Sequence, residues 1–204
     1  MKGLKYMRVF SVTHRLTVVL SVSFLASCGG GGSSDAPVSR FDLNSHAEIL
    51  DVAFELAEER EGASITPFEN VPTVGSTTYE GIMFMSIQES DVPTLLGQAY
   101  LDIDFQDASV NGAAGNFHSI PNGATEGSLT FRDGSIRRSG SFYRISVNYT
   151  GDIDFDDKPR SVSGNLAGSL TGPEGEFFVT TYVGVGTDAG GNEDGVVGSV
   201  ALNR

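Results

Sequence analysis

The chain has 204 residues, with 13 Lys and Arg against 26 Asp and Glu, a single cysteine and no tryptophan. A net charge of −13 repels phosphate backbones and anionic lipid head groups, which argues against nucleic acid and a polybasic membrane patch. One cysteine allows no intramolecular disulfide, so the fold must be held by packing alone.

The first segment is basic and then apolar. Lys2, Lys5 and Arg8 are followed by His14 and Arg15, and an apolar run extends from Leu16 to Ala26. A charged head, a run too short to span a bilayer and small residues at its end predict a secretory signal over residues 1–27. Leu25-Ala26-Ser27-Cys28 resembles the lipobox of bacterial lipoprotein signal peptides, whose cysteine becomes the first mature residue. The resemblance implies a thioether-linked diacylglycerol on Cys28 and an acylated amine. Several chains give stable anchoring, at ~0.8 kcal/mol per buried CH₂. Cys28 is the only cysteine, and it sits where the lipobox needs one. By resemblance to enterobacterial sorting, Gly29 in place of Asp favours the outer membrane. The first 27 residues hold four Lys and Arg and no acid, so the mature part has nine against 26, a net −17.

Residues 28–44 read as the lipidated cysteine and a tether, since Gly29 to Ser34 is GGGGSS with nothing apolar to bury. A helix is predicted over 45–62. Ser45-His46-Ala47-Glu48 fits a capping box, Gly62 supplies a stop, and Ile49, Leu50, Val52, Ala53, Phe54, Leu56 and Ala57 form a broad apolar face. That face must be covered, by the domain behind it or by a partner groove.

From Thr77 onward the period becomes two. Tyr143, Ile145, Val147, Tyr149, Gly151, Ile153 and Phe155 share one parity, against Arg144, Ser146, Asn148, Thr150, Asp152 and Asp154. Leu95 to Phe105 and Val162 to Leu170 repeat the alternation, with Gln98, Tyr100, Asp102 and Asp104 on the first wet parity. This pattern belongs to antiparallel strands with one dry face. Eight strands are expected near 77–88, 95–105, 108–118, 125–133, 139–155, 160–171, 175–185 and 194–203. Gly97, Gly112, Gly151, Gly164, Gly168 and Gly198 fall on or near the apolar parity, where bulky residues normally sit. Glycine inside strands marks bends and close backbone approach, which favours an eight-stranded antiparallel β-barrel over residues 77–204, preceded by one short amphipathic helix, above a two-sheet sandwich. Asp102-Ile103-Asp104-Phe105 recurs as Asp152-Ile153-Asp154-Phe155, each followed by Ser-Val-x-Gly, so one hairpin design is used twice.

That hairpin resembles the β-barrel domains of transferrin-binding protein B and its relatives among bacterial surface lipoproteins. Gly172-Pro173-Glu174-Gly175, Gly190-Gly191 and Gly195-Val196-Val197-Gly198-Ser199-Val200-Ala201 are similar to that family's closing hairpin. The likeness covers about Thr77 to Arg204. It implies an eight-stranded barrel on a lipidated, glycine-rich tether, often at the cell surface, with host proteins or haem bound by some members. The chain departs in having a single barrel and none of the transferrin-contacting segments.

Catalytic chemistry finds little support. Outside the signal the histidines are His46 and His118, with no G-x-S-x-G elbow, and both read as surface residues. A lone histidine is weak evidence for haem, and zinc has neither thiolates nor clustered histidines. Thr187 to Gly195 and Asp156-Asp157 offer oxygen ligands for calcium without EF-hand spacing, and read as hydrated turns. Asp102/Asp104 and Asp152/Asp154 alternate onto outer faces, away from any cleft a glycosidase would need. A transmembrane barrel is opposed by the missing tryptophan, by the Asn203-Arg204 end and by the anchor. The sequence therefore predicts a non-enzymatic binding lipoprotein without metal or cofactor, with Cys28 as its lipid attachment site. It would bind a host or envelope protein, or haem, through barrel loops or interior. The alternative is a structural or envelope-maintenance lipoprotein facing the periplasm, with the helix docked to a partner.

Overall fold

The computed structural model describes residues 41–88, 94–119, 123–155 and 158–204. The predicted signal, Cys28, the GGGGSS tether and Asp156-Asp157 lie outside the described residues. After the helix α1 (His46–Glu59), nine strands follow in order: β1 Ser76–Ile87, β2 Leu95–Asp104, β3 Ser109–Ser119, β4 Gly123–Thr125, β5 Gly127–Ser139, β6 Phe142–Asp154, β7 Pro159–Thr171, β8 Phe177–Asp188 and β9 Glu193–Asn203.

Every neighbouring pair is antiparallel, and β9 returns to β1 with Ile82 opposite Ala201, which closes the sheet. The three-residue β4 pairs with β3 at Phe117 to Ser119, and β5 takes over along Ser109 to Ala114. β4 and β5 thus form one stave interrupted at Glu126. The result is a closed eight-stave antiparallel barrel with one helix, as the alternation and the glycines predicted.

The dry parity points inward. Ile145, Val147, Tyr149 and Ile153 of β6 join Val162, Leu166 and Leu170 of β7 in one core that fills the barrel. The wet parity bonds across the outside: Asn165 Nδ2 donates to Ser146 Oγ at 3.1 Å and to Asn148 Oδ1 at 3.1 Å. The glycines let strands and rings approach closely. A Cβ on Gly164 would lie 2.6 Å from Tyr149 Cζ, and one on Gly97 would lie 2.6 Å from Phe117 Cε1.

Local differences have physical causes. The sequence reading ends a strand near Asp133. Asp133 and Gly134 instead form a bulge between Arg132 and Ser135, with Asp133 at φ 54°, and β5 runs on to Ser139. The hairpin turn is Gly140-Ser141, with Ser139 opposite Phe142, so β6 starts three residues later than expected. In the duplicated hairpins both loops span four residues, with Asp104 opposite Ser109 and Asp154 opposite Pro159. The second Ser-Val-x-Gly enters two residues further along, with Ser161 opposite Asp152.

Helix α1 begins as expected in one half of its cap. Ser45 Oγ accepts from the Glu48 amide at 3.2 Å, while Glu48 Oε2 accepts from the amide of Asn44, not from that of Ser45. The helix lies against the outside of the barrel, where Ile49 and Leu56 pack on the outward-facing Ile82 and Leu96. That contact overturns part of the alternation reading. Gln98 and Tyr100 belong to the outer parity, yet each is under 9 % exposed because α1 and its lead-in cover them. After the helix, Ser64 and Thr66 stitch the chain to the far end of β7 and the turn beyond it: the Thr66 amide donates to Leu170 O at 3.0 Å, and the Gly172 amide to Ser64 O at 2.9 Å.

Candidate functional site

Large rings fill the barrel. Tyr79, Phe117, Phe131, Tyr149, Phe155, Phe178 and Tyr182 are all buried. Tyr79 donates to Gly175 O at 2.7 Å and Tyr182 to Phe84 O at 2.8 Å, whereas the Tyr149 hydroxyl is buried without a partner. The Tyr149 and Tyr182 rings meet edge to face at 5.3 Å. Burial pushes the Tyr79 hydroxyl up to about 12 and drives those of Tyr149 and Tyr182 up as well. This interior is a packed core, as small barrels usually have.

Open space lies on the outer wall. A groove of ≈460 Å³ runs between α1 and the outward faces of β8 and β9, with Leu50, Ala53 and Phe54 on one side and Val179, Thr181 and Ala201 on the other. Phe54 is 66 % exposed at its edge. Arg60, at the end of the helix, is the one charged residue among those lining it. The outer faces of the two strands continue uncharged beyond the groove, with Thr181 opposite Ser199, Val183 opposite Val197 and Val185 opposite Gly195. Val183 is 72 % exposed. A more polar groove of ≈390 Å³ lies beside the lead-in, under Phe41 and Leu43 and over Gln98 and Tyr100. A third, of ≈360 Å³, sits by Asn70, Pro173, Glu174 and Arg204.

His118 is not the surface residue the sequence suggests, and His46 is half-buried. Asn116 takes φ 50° at a β-bulge, which re-aims the strand so that His118 lies opposite the outward Leu96. His118 is 5 % exposed, and both ring nitrogens of His46 are buried without a hydrogen-bond partner. Burial and the nearby His46 together hold His118 below the ordinary histidine value. Asn116 Nδ2 donates to Leu43 O and Gln98 Oε1, so its Oδ1 accepts from His118 Nε2 at 3.2 Å. Neither histidine is among the residues lining these three grooves.

The acidic candidates are committed elsewhere. Asp188 Oδ1 accepts from the Gly190 and Asn192 amides at 2.8 Å each, Oδ2 accepts from Asn192 Nδ2, and Arg160 stands 3.5 Å away. The Asn192 bonds, chiefly, hold its carboxyl below the usual range. A carboxylate so occupied caps a turn. Among the described residues no three metal-ligating side chains cluster. Asp102 accepts from Thr78 Oγ1 at 2.5 Å and Asp152 from Ser161 Oγ at 2.6 Å, on the well-separated staves β2 and β6. The repeated Asp pairs therefore do not converge. The apolar groove was illegible in advance, because it needs the helix placed against two strands more than 120 residues away. Its only sequence trace is the uncharged outer parity of Val179 to Val185.

Compared with known protein families, curated proteins and solved structures, the chain matches none.

Proposed function

We propose that this chain is a lipid-anchored, non-enzymatic binding protein of the outer membrane, and that the groove between α1 and β8–β9 is its ligand site. The groove carries the reading. It has the size of a small-molecule site, an apolar lining and one charged residue to orient a ligand, which is the usual composition of such sites. Its chemistry fits a single-chain amphiphile, with the apolar tail along Leu50, Ala53 and Val179 and an anionic head toward Arg60. Each methylene removed from water contributes ~0.8 kcal/mol, so ten of them supply about 8 kcal/mol before ordering costs. The Leu25-Ala26-Ser27-Cys28 segment supports the anchor. The closed eight-stave barrel agrees with the likeness to transferrin-binding-protein-like lipoproteins, which is kept here for fold and address and not for transferrin.

The test is a titration of the full-length protein with a fluorescent long-chain fatty acid, beside Thr181→Glu. Thr181 is exposed, lines the groove and lies outside the core, so a carboxylate there adds charge to the site without disturbing the barrel. Saturable binding that weakens at least tenfold in the variant supports the proposal. No binding, or equal binding by both proteins, refutes it. A second reading, a periplasm-facing structural lipoprotein, draws on exposed Phe54 and Val183, which would dock a partner side by side. Protease shaving of intact cells separates the addresses: digestion of the domain before lysis fits the surface, and full protection fits the periplasm.

A further inference from the structure

We propose that His118, set against His46, forms a pH latch on α1: in mildly acidic surroundings its imidazole takes up a proton, and the first turn of the helix lifts from the barrel wall. The two imidazoles come from opposite sides of one seam. His46 is the first residue of the helix, and the bulge at Asn116 turns His118 outward, opposite Leu96 of that seam and near enough to His46 for the two rings to interact. The apolar seam beside them is small, with Ile49, Leu56, Ile82 and Leu96 as its buried members.

Three features oppose a charge on the His118 ring. Its neighbour His46 has both nitrogens closed off from water without a hydrogen-bond partner, so the seam beside His118 offers a cation no hydration. His118 is almost wholly covered, and its Nε2–H is already directed at Asn116 Oδ1. The N-terminus of a helix is the positive end of its dipole, which disfavours a cation there. A second proton on one ring also raises the cost of protonating the other. Besides the histidines, the lead-in carries Asp42, α1 carries Glu48, Asp51, Glu55, Glu58 and Glu59, β1 carries Tyr79 and Glu80, and β2 carries Tyr100, Asp102 and Asp104; β3 and β4 add none. Asp42 accepts from Gln98 Nε2 at 3.4 Å and Glu48 accepts from the Asn44 amide, and both carboxylates face water. Burial and His46, not these acids, set the proton affinity of His118.

Undocking hydrates the His118 ring and returns it to ordinary histidine behaviour, near 6.5. Protons then bind the undocked form more readily, and falling pH shifts the population toward it. The barrel does not need the helix to stay closed. Its own core is a separate cluster, and β1 is held by hydrogen bonds to β2 and β9. A 14-residue helix with two buried side chains is the kind of element that opens locally. The lead-in would follow, because the Leu43 amide donates to Gln98 Oε1 at 3.1 Å within the same network as Asn116 and His118. Since α1 is one wall of the large groove, the latch would also open that groove. The latch itself rests on the seam alone and stands whatever the groove binds.

Amide hydrogen exchange of the full chain, corrected for intrinsic rates, tests it at pH 7.5, 6.5 and 5.5. Protection of α1 should fall at least tenfold from pH 7.5 to 5.5 while β5–β8 keep theirs. In His46→Gln/His118→Gln the α1 protection should be flat across that range, whatever its level. An NMR titration of the wild-type imidazoles supplies a reading that needs no variant: His118 should take its proton below the ordinary value, in step with the loss of α1 protection. Constant α1 protection in the wild type overturns the latch. So does the same fall in the double variant, or a fall shared by the barrel strands. Fatty-acid binding at pH 7.5 is unaffected by any of these outcomes.

Discussion

Removing the hydroxyl of Tyr149 should stabilise the protein, and it should also rescue a glycine substitution that is otherwise harmful. The hydroxyl is buried with no partner and is wedged against Gly164 on β7 and Gly184 on β8. An unsatisfied buried group costs about 1–3 kcal/mol, so Tyr149→Phe should gain roughly 1 kcal/mol once the lost contacts are counted. Gly164→Ala acts in the opposite direction. Its Cβ would fall 2.6 Å from Tyr149 Cζ and 2.8 Å from Cε1, in a core with no room to yield. Overpacking of that kind costs about 1–3 kcal/mol, against about 0.4–1 kcal/mol recovered from the stiffer unfolded chain. The two changes share one contact, so the double variant should be less damaged than the sum predicts, with a coupling of about 0.5–2 kcal/mol. Equilibrium urea unfolding followed by circular dichroism reads all four corners of the cycle. Each kcal/mol should appear as roughly 2–4 °C in Tm for a chain of this size. A Tyr149→Phe protein less stable than wild type by 1 kcal/mol or more would show that the hydroxyl is satisfied after all, and would sink the argument.

Other expectations follow from the same packing. His118 is held below its ordinary value in the fold, so the unfolded chain binds more protons beneath pH ~6.5, and its contribution to stability is present above that pH and lost as pH falls through the folded value; denaturant midpoints at pH 7.5 and 5.5 should differ in the wild type and converge in His118→Gln. Tyr79 is raised to about 12, so its contribution is complete below pH ~10 and fades by roughly 3 kcal/mol as pH climbs to about 12; an absorbance titration should show Tyr79, Tyr149 and Tyr182 ionising only as the barrel unfolds. Arg160 is buried at one barrel end, 2.9 Å from Asp194 and 3.5 Å from Asp188. Arg160→Met should cost about 1–3 kcal/mol in urea, less than a fully buried pair because both carboxylates reach water. Cys28→Ala should abolish palmitate labelling of cells, and continued labelling would remove the lipobox reading.

The barrel was legible because a period of two, with glycines on the dry parity, is a local signal that the global fold repeats stave after stave. Errors arose where a local signal has two uses. Asp133-Gly134 has the φ > 0 chemistry of a hairpin turn, and a β-bulge uses the same chemistry. Gln98 and Tyr100 sit on the polar parity, and only the docked helix reveals that this stretch of outer wall is dry. His46 and His118 look unrelated at 72 residues apart, and nothing local announces that a bulge at Asn116 brings them near each other. Asn116 in a strand was the one available hint, since asparagine tolerates that backbone region. The glycines foretold close approach, but not which rings would fill the space they leave.

Photoaffinity labelling of the full chain with a photoactivatable long-chain fatty acid tests the groove most directly. The expected result is saturable labelling confined to peptides from α1, near Leu50 to Arg60, and from β8–β9, near Val179 to Thr181 and Ser199 to Ala201, and lost in Thr181→Glu. Labelling on the barrel-end loops or inside the barrel, or labelling that Thr181→Glu leaves unchanged, would contradict it.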